Sequence, residues 1–338
     1  QQETKQAGLK ENKSAEDVLD RGYGYTNEIN YLFVAMARAA GFRPAIVMLA
    51  DRRRAALDRG VLDPTQLNSM VVMVPMADHD LYLDPATRFC PYGMVPWYEN
   101  GVKGLSVSNI VNDFVTIPGE HSDAAVTKRS VELRVAGDGH VDGTFQISFA
   151  GQEALTRRLE LYDEDDNGRR KALEEEIRGW LPEGATVEVR HIFACDSSEE
   201  DLRVEGEFSV PQFATIAGRR LLVPTAVFRN FRENPFQPLK RTYEIYFRHS
   251  YRVEDKVRLQ APDDFRVESL PNQHDDQVDC CHYLTNFKSH DRTVDFERSF
   301  AVDGFIFPQS VYPGLRLFFG KMIANDGEQV VLQQANQK

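Results

Sequence analysis

The chain has 338 residues, of which 42% are hydrophobic and 27% charged, with a formal net charge of −12. That length suffices for two or three domains with real cores, and acidic residues spread along the whole chain exclude the basic footprint of a nucleic-acid binder. No apolar run approaches the ~20 residues of a membrane-spanning helix. The chain opens in a polar, glutamine-rich stretch with neither an initiator Met nor a signal peptide, which predicts a fragment or processed form. Cys90, Cys195, Cys280 and Cys281 are too few and too scattered for a disulfide scaffold.

Residues 14–21 predict a short helix. The run from Thr26 to Ala40 predicts a longer one whose buried face is rich in Leu, Val and Ala. A helix N-terminus carries unpaired N–H groups and a partial positive charge, so it favours an anion. A thiol on that turn would have its pKa lowered and become a competent nucleophile. A threonine hydroxyl is a far weaker acid and needs an adjacent base. Thr26 therefore reads as the helix N-cap, where Ser and Thr are favoured. A strand over 44–50, a basic helical insertion at Arg52-Arg53-Arg54, a hairpin over 70–84 and turns at 92–96 and 100–101 complete the first third.

Three segments here resemble the transglutaminase-like superfamily. In that family a Gly-x-Cys turn opens the nucleophile helix, which closes on Arg-Ala-x-Gly; here Gly24-Tyr25-Thr26 opens the helix and Arg38-Ala39-Ala40-Gly41 closes it. Leu67-Asn68-Ser69-Met70-Val71-Val72-Met73-Val74 resembles the family's Asn-His strand, with Ser69 at the position of His. Leu81-Tyr82-Leu83-Asp84-Pro85-Ala86-Thr87 resembles its Leu-Asp-Pro-x-Thr segment, with Asp84 on the orienting Asp. The resemblance implies a papain-like α+β core over 1–123 with a degenerate triad at Thr26, Ser69 and Asp84. A serine at 69 cannot accept a proton as an imidazole would. His79 sits in the predicted turn Ala77–Asp80, ten residues beyond Ser69, which is roughly 30 Å of extended chain.

After residue 123 the chain reads mostly as strand. Segments 130–135, 143–149, 186–193, 202–210, 242–251 and 292–300 alternate or are enriched in β-branched and aromatic residues. Helical interruptions fall near 152–162, 169–180 and 312–325. The expectation is an antiparallel β-sandwich over 124–338, or two smaller ones split near 235 at Glu233-Asn234-Pro235-Phe236-Gln237-Pro238. Leu133-Arg134-Val135-Ala136-Gly137-Asp138-Gly139 leading into a strand, Val253-Glu254, Phe265-Arg266-Val267-Glu268-Ser269-Leu270-Pro271, and Tyr312-Pro313-Gly314-Leu315-Arg316 opening the final helix resemble the β-rich module that follows the transglutaminase-like core in bacterial proteins, and the resemblance implies export to the periplasm or cell surface.

Two polar clusters are metal candidates. Asp163, Asp165, Asn167 and Glu174, with Gly168 at the sixth position, match the spacing of a calcium-binding EF-hand loop. Arg170 stands where that loop usually has an aliphatic residue and no second loop exists, so the plainer expectation is an acidic link whose Asp and Asn cap the next helix. In Asp279-Cys280-Cys281-His282, strand alternation would turn Cys280 and His282 to one face and Cys281 to the other. At most two ligands would then meet where zinc needs four, which favours a polar hairpin. Neither cofactor nor metal is therefore expected.

Three functions follow. The first is a catalytically degenerate transglutaminase-like protein that binds a protein, peptide or glycan. The second is an acyl-transferase or peptidase using Thr26 as nucleophile. The third is an architectural fragment of a larger exported protein. If the alignment is right, Thr26→Cys with Ser69→His should revive acyl transfer.

Overall fold

The computed structural model describes residues 10–61, 63–107 and 113–335. The chain is α+β and divides into two units, residues 1–120 and 121–338.

In the N-terminal unit, helix α1 (Ala15–Arg21) is capped by Ser14, whose hydroxyl accepts the Asp17 N–H. Gly22 closes it in the left-handed conformation at φ 68°, which a glycine adopts without strain. Helix α2 (Thr26–Ala39) precedes a five-stranded antiparallel sheet of order β3-β2-β1-β4-β5, built from β1 (Ala45–Leu49), β2 (Ser69–Pro75), β3 (Asp80–Leu83), β4 (Lys103–Val107) and β5 (Asp113–Thr116). Alternation sends Met70, Val72 and Val74 to the face where Val34 of α2 packs with Ile46 and Leu83. Val71 goes to the opposite face with Val47, Leu49, Val95 and Ile117. Both faces of this small sheet are therefore apolar and covered.

The expected basic helix at 52–54 is instead a single turn. Asp51 closes it by accepting the Arg53 N–H on its carboxylate and the Arg54 N–H on its carbonyl. A short polar side chain bonding backbone N–H groups just ahead of it supplies what a helix would have.

The C-terminal unit is built on an eight-stranded sheet of order β15-β16-β17-β13-β6-β7-β9-β8. Its strands are β6 (Val126–Val135), β7 (Val141–Phe149), β8 (Thr186–Phe193), β9 (Leu202–Val210), β13 (Tyr251–Gln260), β15 (His274–Val278), β16 (Cys281–His290) and β17 (Thr293–Val302). A four-stranded sheet pairs β10 (Thr215–Ala217), β11 (Arg220–Pro224), β19 (Gln329–Gln334) and β14 (Phe265–Ser269). A two-residue ladder joins β12 (Ile245–Tyr246) to β18 (Ile306–Phe307).

Inward side chains of the two larger sheets share one core with Ala154 of α3 (Gln152–Glu160) and with Leu173 and Ile177 of α4 (Asp166–Trp180). Leu173 and Ile177 are one turn apart, so they present a single apolar stripe. A second core gathers Tyr312, Leu315, Phe318, Phe319 and Met322 of α5 (Tyr312–Asp326) against Tyr283, Phe300 and Val302.

The sheet is not purely antiparallel. β13 runs parallel to β6 over Arg252–Gln260, and this pairing carries the sheet continuously across the Pro-containing stretch at 233–238. Parallel neighbours need a long crossover, and residues 136–250 supply it.

The acidic link before α4 is not a calcium loop. Residues 166–174 are already helical, so the later loop positions cannot wrap around an ion. Asp165 caps the helix by accepting the Gly168 N–H at 2.7 Å, and Glu174 turns away to accept the Val189 N–H at 3.0 Å. Among the described residues no group of three or more His, Cys, Asp or Glu is placed to hold a metal.

The Asp279–His282 run also departs from the expected alternation. Cys280 lies in the turn between β15 and β16, so both Cys280 and Cys281 point into the second core while His282 is exposed and bonds Asp275.

Candidate functional site

Ser69 opens β2, and alternation places its side chain on the Val71 face, away from α2. Asp84 follows β3 in the same sense. Leu83 pairs with Val72 and lies on the α2 face, whereas Tyr82 and the position after Leu83 belong to the opposite one. The segment 95–100 covers that opposite face, with Val95 in its core.

The residue that joins Ser69 to Asp84 is Glu99. The Ser69 hydroxyl donates to the Glu99 carboxyl in a short hydrogen bond. The Glu99 carboxyl also lies beside that of Asp84, and both groups are over nine-tenths buried. Burial first, then the charge of Asp84, pushes the Glu99 carboxyl up to about 9. Burial likewise raises Asp84, but the N–H groups of Ala86 and Thr87, each at 3.1 Å, hold it as the more acidic of the two. Two neighbouring buried carboxyls resist ionising together, and of the two Glu99 is the more strongly raised. Glu99 Oε2 is buried without a hydrogen-bond partner, which further disfavours its ionised form.

Arginine and aromatic groups surround the pair. Arg53 clamps Asp51 with three hydrogen bonds of 2.6–3.0 Å and lies 3.6 Å over the Tyr98 ring. Burial acts to raise the Asp51 carboxyl, but those bonds outweigh it and hold the group below the ordinary carboxylate range. The Asp51 N–H in turn donates to Asn68, the residue before Ser69, at 3.0 Å. Arg52 donates to the Trp97 carbonyl and, at 3.0 Å, to Asn100. Burial beside Glu99 pushes the Tyr98 hydroxyl up to about 12.

Thr26 lies outside this network. It is the first helical residue of α2 rather than its cap; Tyr25 holds the cap position, and its N–H donates to Glu28 at 2.8 Å. Thr26 is exposed, and among the described residues no hydrogen bond reaches its hydroxyl. One turn further along, Asn30 is fully buried and donates to the Met70 carbonyl at 3.0 Å, so α2 meets β2 through Asn30. His79 is exposed at the hairpin tip and pairs with Asp78 at 2.7 Å.

The structure thus brings together Ser69 and Asp84 of the three sequence candidates and adds Glu99. Chemically the cluster is a buried acid pair with a half-buried hydroxyl on it. Ser69, Asp84 and Glu99 themselves supply neither an imidazole nor a thiol. The sequence reading missed Glu99 because it lies in Trp97-Tyr98-Glu99-Asn100-Gly101, which reads as a turn. An acidic residue between aromatics just ahead of an Asn-Gly turn was the one available signal.

Residues 219–332 match the family model described as a domain of unknown function with a solved structure, DUF3858. Among solved structures, a candidate protease from Parabacteroides distasonis ATCC 8503 superposes with a TM-score of 0.48 at 13% identity, covering 94% of this chain and 46% of that one. The chain therefore spans less than half the length of that protein. No curated protein matches the chain.

Proposed function

We propose that this chain is a non-catalytic transglutaminase-like module that serves in binding or scaffolding. The observation that carries the reading is the hydrogen bond from Ser69 to Glu99, which lies beside Asp84. A base at position 69 would need a free nitrogen facing a nucleophile, and this site offers a hydroxyl committed to a buried acid. Thr26, exposed and without a hydrogen-bonded base, has no means of losing its proton at neutral pH. The match over 219–332 is in keeping with this, because DUF3858 is associated with transglutaminase-like proteins.

The test is a labelled-amine transfer assay and a peptide hydrolysis assay, run beside the Thr26→Ala variant. Equal background from both proteins is expected. Turnover that Thr26→Ala abolishes would replace this reading with that of a threonine-dependent acyltransferase or peptidase.

The binding role is assigned to the C-terminal unit. The outer face of its eight-stranded sheet carries three adjoining depressions of about 400, 530 and 310 Å³, joined through Ser130, Glu132 and Lys256. Their polar and charged lining suits a protein, peptide or glycan better than an apolar ligand. Calorimetric titration of peptide and oligosaccharide sets against the chain and its Lys256→Glu variant checks the location.

A further inference from the structure

Neighbouring side chains on a strand point to opposite faces, yet Cys280 and Cys281 do not. The turn between β15 and β16 puts Cys280 at its second position and Cys281 at the first residue of β16, and both thiols enter the same core. Their sulfur atoms lie 3.5 Å apart as a hydrogen-bonded thiol pair. The turn is pinned from one side by the Asp303 N–H, which donates to the Cys280 carbonyl at 2.8 Å, and Val278 pairs with Cys281 across it. Packing alone asks for no such arrangement, since one thiol could have faced solvent as His282 does.

We propose that Cys280 and Cys281 form a reversible dithiol modification site, oxidised by low-molecular-weight disulfides to a bond between neighbouring residues. The Cys280 thiolate attacks the small disulfide, forming a mixed disulfide and releasing one small thiolate. The Cys281 sulfur, losing its proton, then attacks the Cys280 sulfur and expels the second small thiolate. One disulfide bond forms in the protein and one breaks in the reagent. The protein loses two hydrogens and the reagent leaves as two thiols.

Cys280 is the first attacker on chemical grounds. Its hydrogen bond from Cys281 stabilises the thiolate and lowers its pKa, whereas the same bond and then burial raise that of Cys281. The product is designed to be undone. Adjacent α-carbons are about 3.8 Å apart, below the usual disulfide range of about 4.4–6.8 Å, so the ring is strained and yields readily to a dithiol reductant. Cys280 and Cys281 are 5% and 3% exposed, so reagent entry requires the Asp279–Cys280 turn to open briefly.

The experiment treats the full chain, with Cys90→Ser and Cys195→Ser, with oxidised glutathione and then counts alkylatable thiols after unfolding. Loss of both remaining thiols with no glutathione retained is expected, together with their return after a dithiol reductant. Cys281→Ser should stall as a stable glutathione adduct on Cys280. Two thiols still alkylatable when the treated protein is unfolded would overturn the proposal. So would adducts retained on both cysteines.

Discussion

Glu99 and Asp84 place two neighbouring carboxyl groups in the interior of the N-terminal unit, and the Ser69 hydroxyl donates to the first. A folded-state value near 9 against an ordinary 4.5 makes Glu99 a proton reservoir that the unfolded chain lacks. Between those values the folded state holds a proton that the unfolded state has lost, so stability falls as pH rises. The slope is at most about 1.4 kcal/mol per pH unit. The contribution is intact below the unfolded value and gone once pH passes the folded one. Glu99→Gln should flatten this dependence and leave the variant more stable than the parent at alkaline pH. Urea denaturation monitored at mildly acidic and mildly alkaline pH decides it, and parallel pH profiles for the two proteins would sink the assignment.

Ser69 should matter through Glu99 alone. Ser69→Ala leaves a buried oxygen short of a donor, at a cost of about 1–3 kcal/mol. In a Glu99→Leu background no such oxygen remains, and the same change should cost little. The double-mutant cycle should therefore return a coupling of about 0.5–3 kcal/mol. Additive effects would mean that Ser69 acts by packing.

Position 26 can regain a thiol, but not a partner. Thr26→Cys places sulfur on the first turn of a 14-residue helix, where partial positive charge favours the thiolate. Its alkylation should run faster than that of an ordinary exposed cysteine. Ser69→His added to it should change that rate less than twofold, because residue 69 points to the sheet face opposite Val34 of α2. The sequence alignment alone predicts revived acyl transfer from the pair; the sheet pleat predicts none. Amine incorporation by the double variant separates the two.

What the sequence could show was local. The helix from Thr26 carries its own periodicity, and the hairpin over 70–84 its own alternation and turn, so both were legible. Glu99 was not, because a carboxyl becomes part of a site only when 95–100 folds over β2, a contact 30 residues distant. The parallel pairing of β6 with β13 was hidden for the same reason, since nothing in either strand specifies a partner more than 100 residues away. The 52–54 turn misled because three arginines suit a helix by propensity, while Asp51 offered the backbone a competing set of hydrogen bonds. At Cys280 the alternation rule failed because the strand begins one residue later than the pattern suggested.

Arg298 provides the sharpest stability test in the C-terminal unit. Its guanidinium is buried and forks onto Asp326 at 2.7 and 2.8 Å while also reaching Asp255 at 3.2 Å. Asp255 is shared with Arg129, and Asp326 also accepts the Tyr283 hydroxyl at 2.7 Å. The ladder thus crosses from β6 through β13 and β17 to the end of α5. Arg298→Met strands the Asp326 charge in that interior and should cost about 3–5 kcal/mol. Asp255 is less exposed to the loss because Arg129 remains on it. Adding Asp326→Asn removes the stranded charge yet keeps an oxygen for Tyr283, so the double variant should recover most of the loss. Recovery distinguishes the penalty of an unpaired buried charge from the loss of arginine packing, which Asp326→Asn would leave untouched. Chemical denaturation of the two variants reads the difference, and a single variant within about 1 kcal/mol of the parent would show that the ladder is hydrated rather than dry.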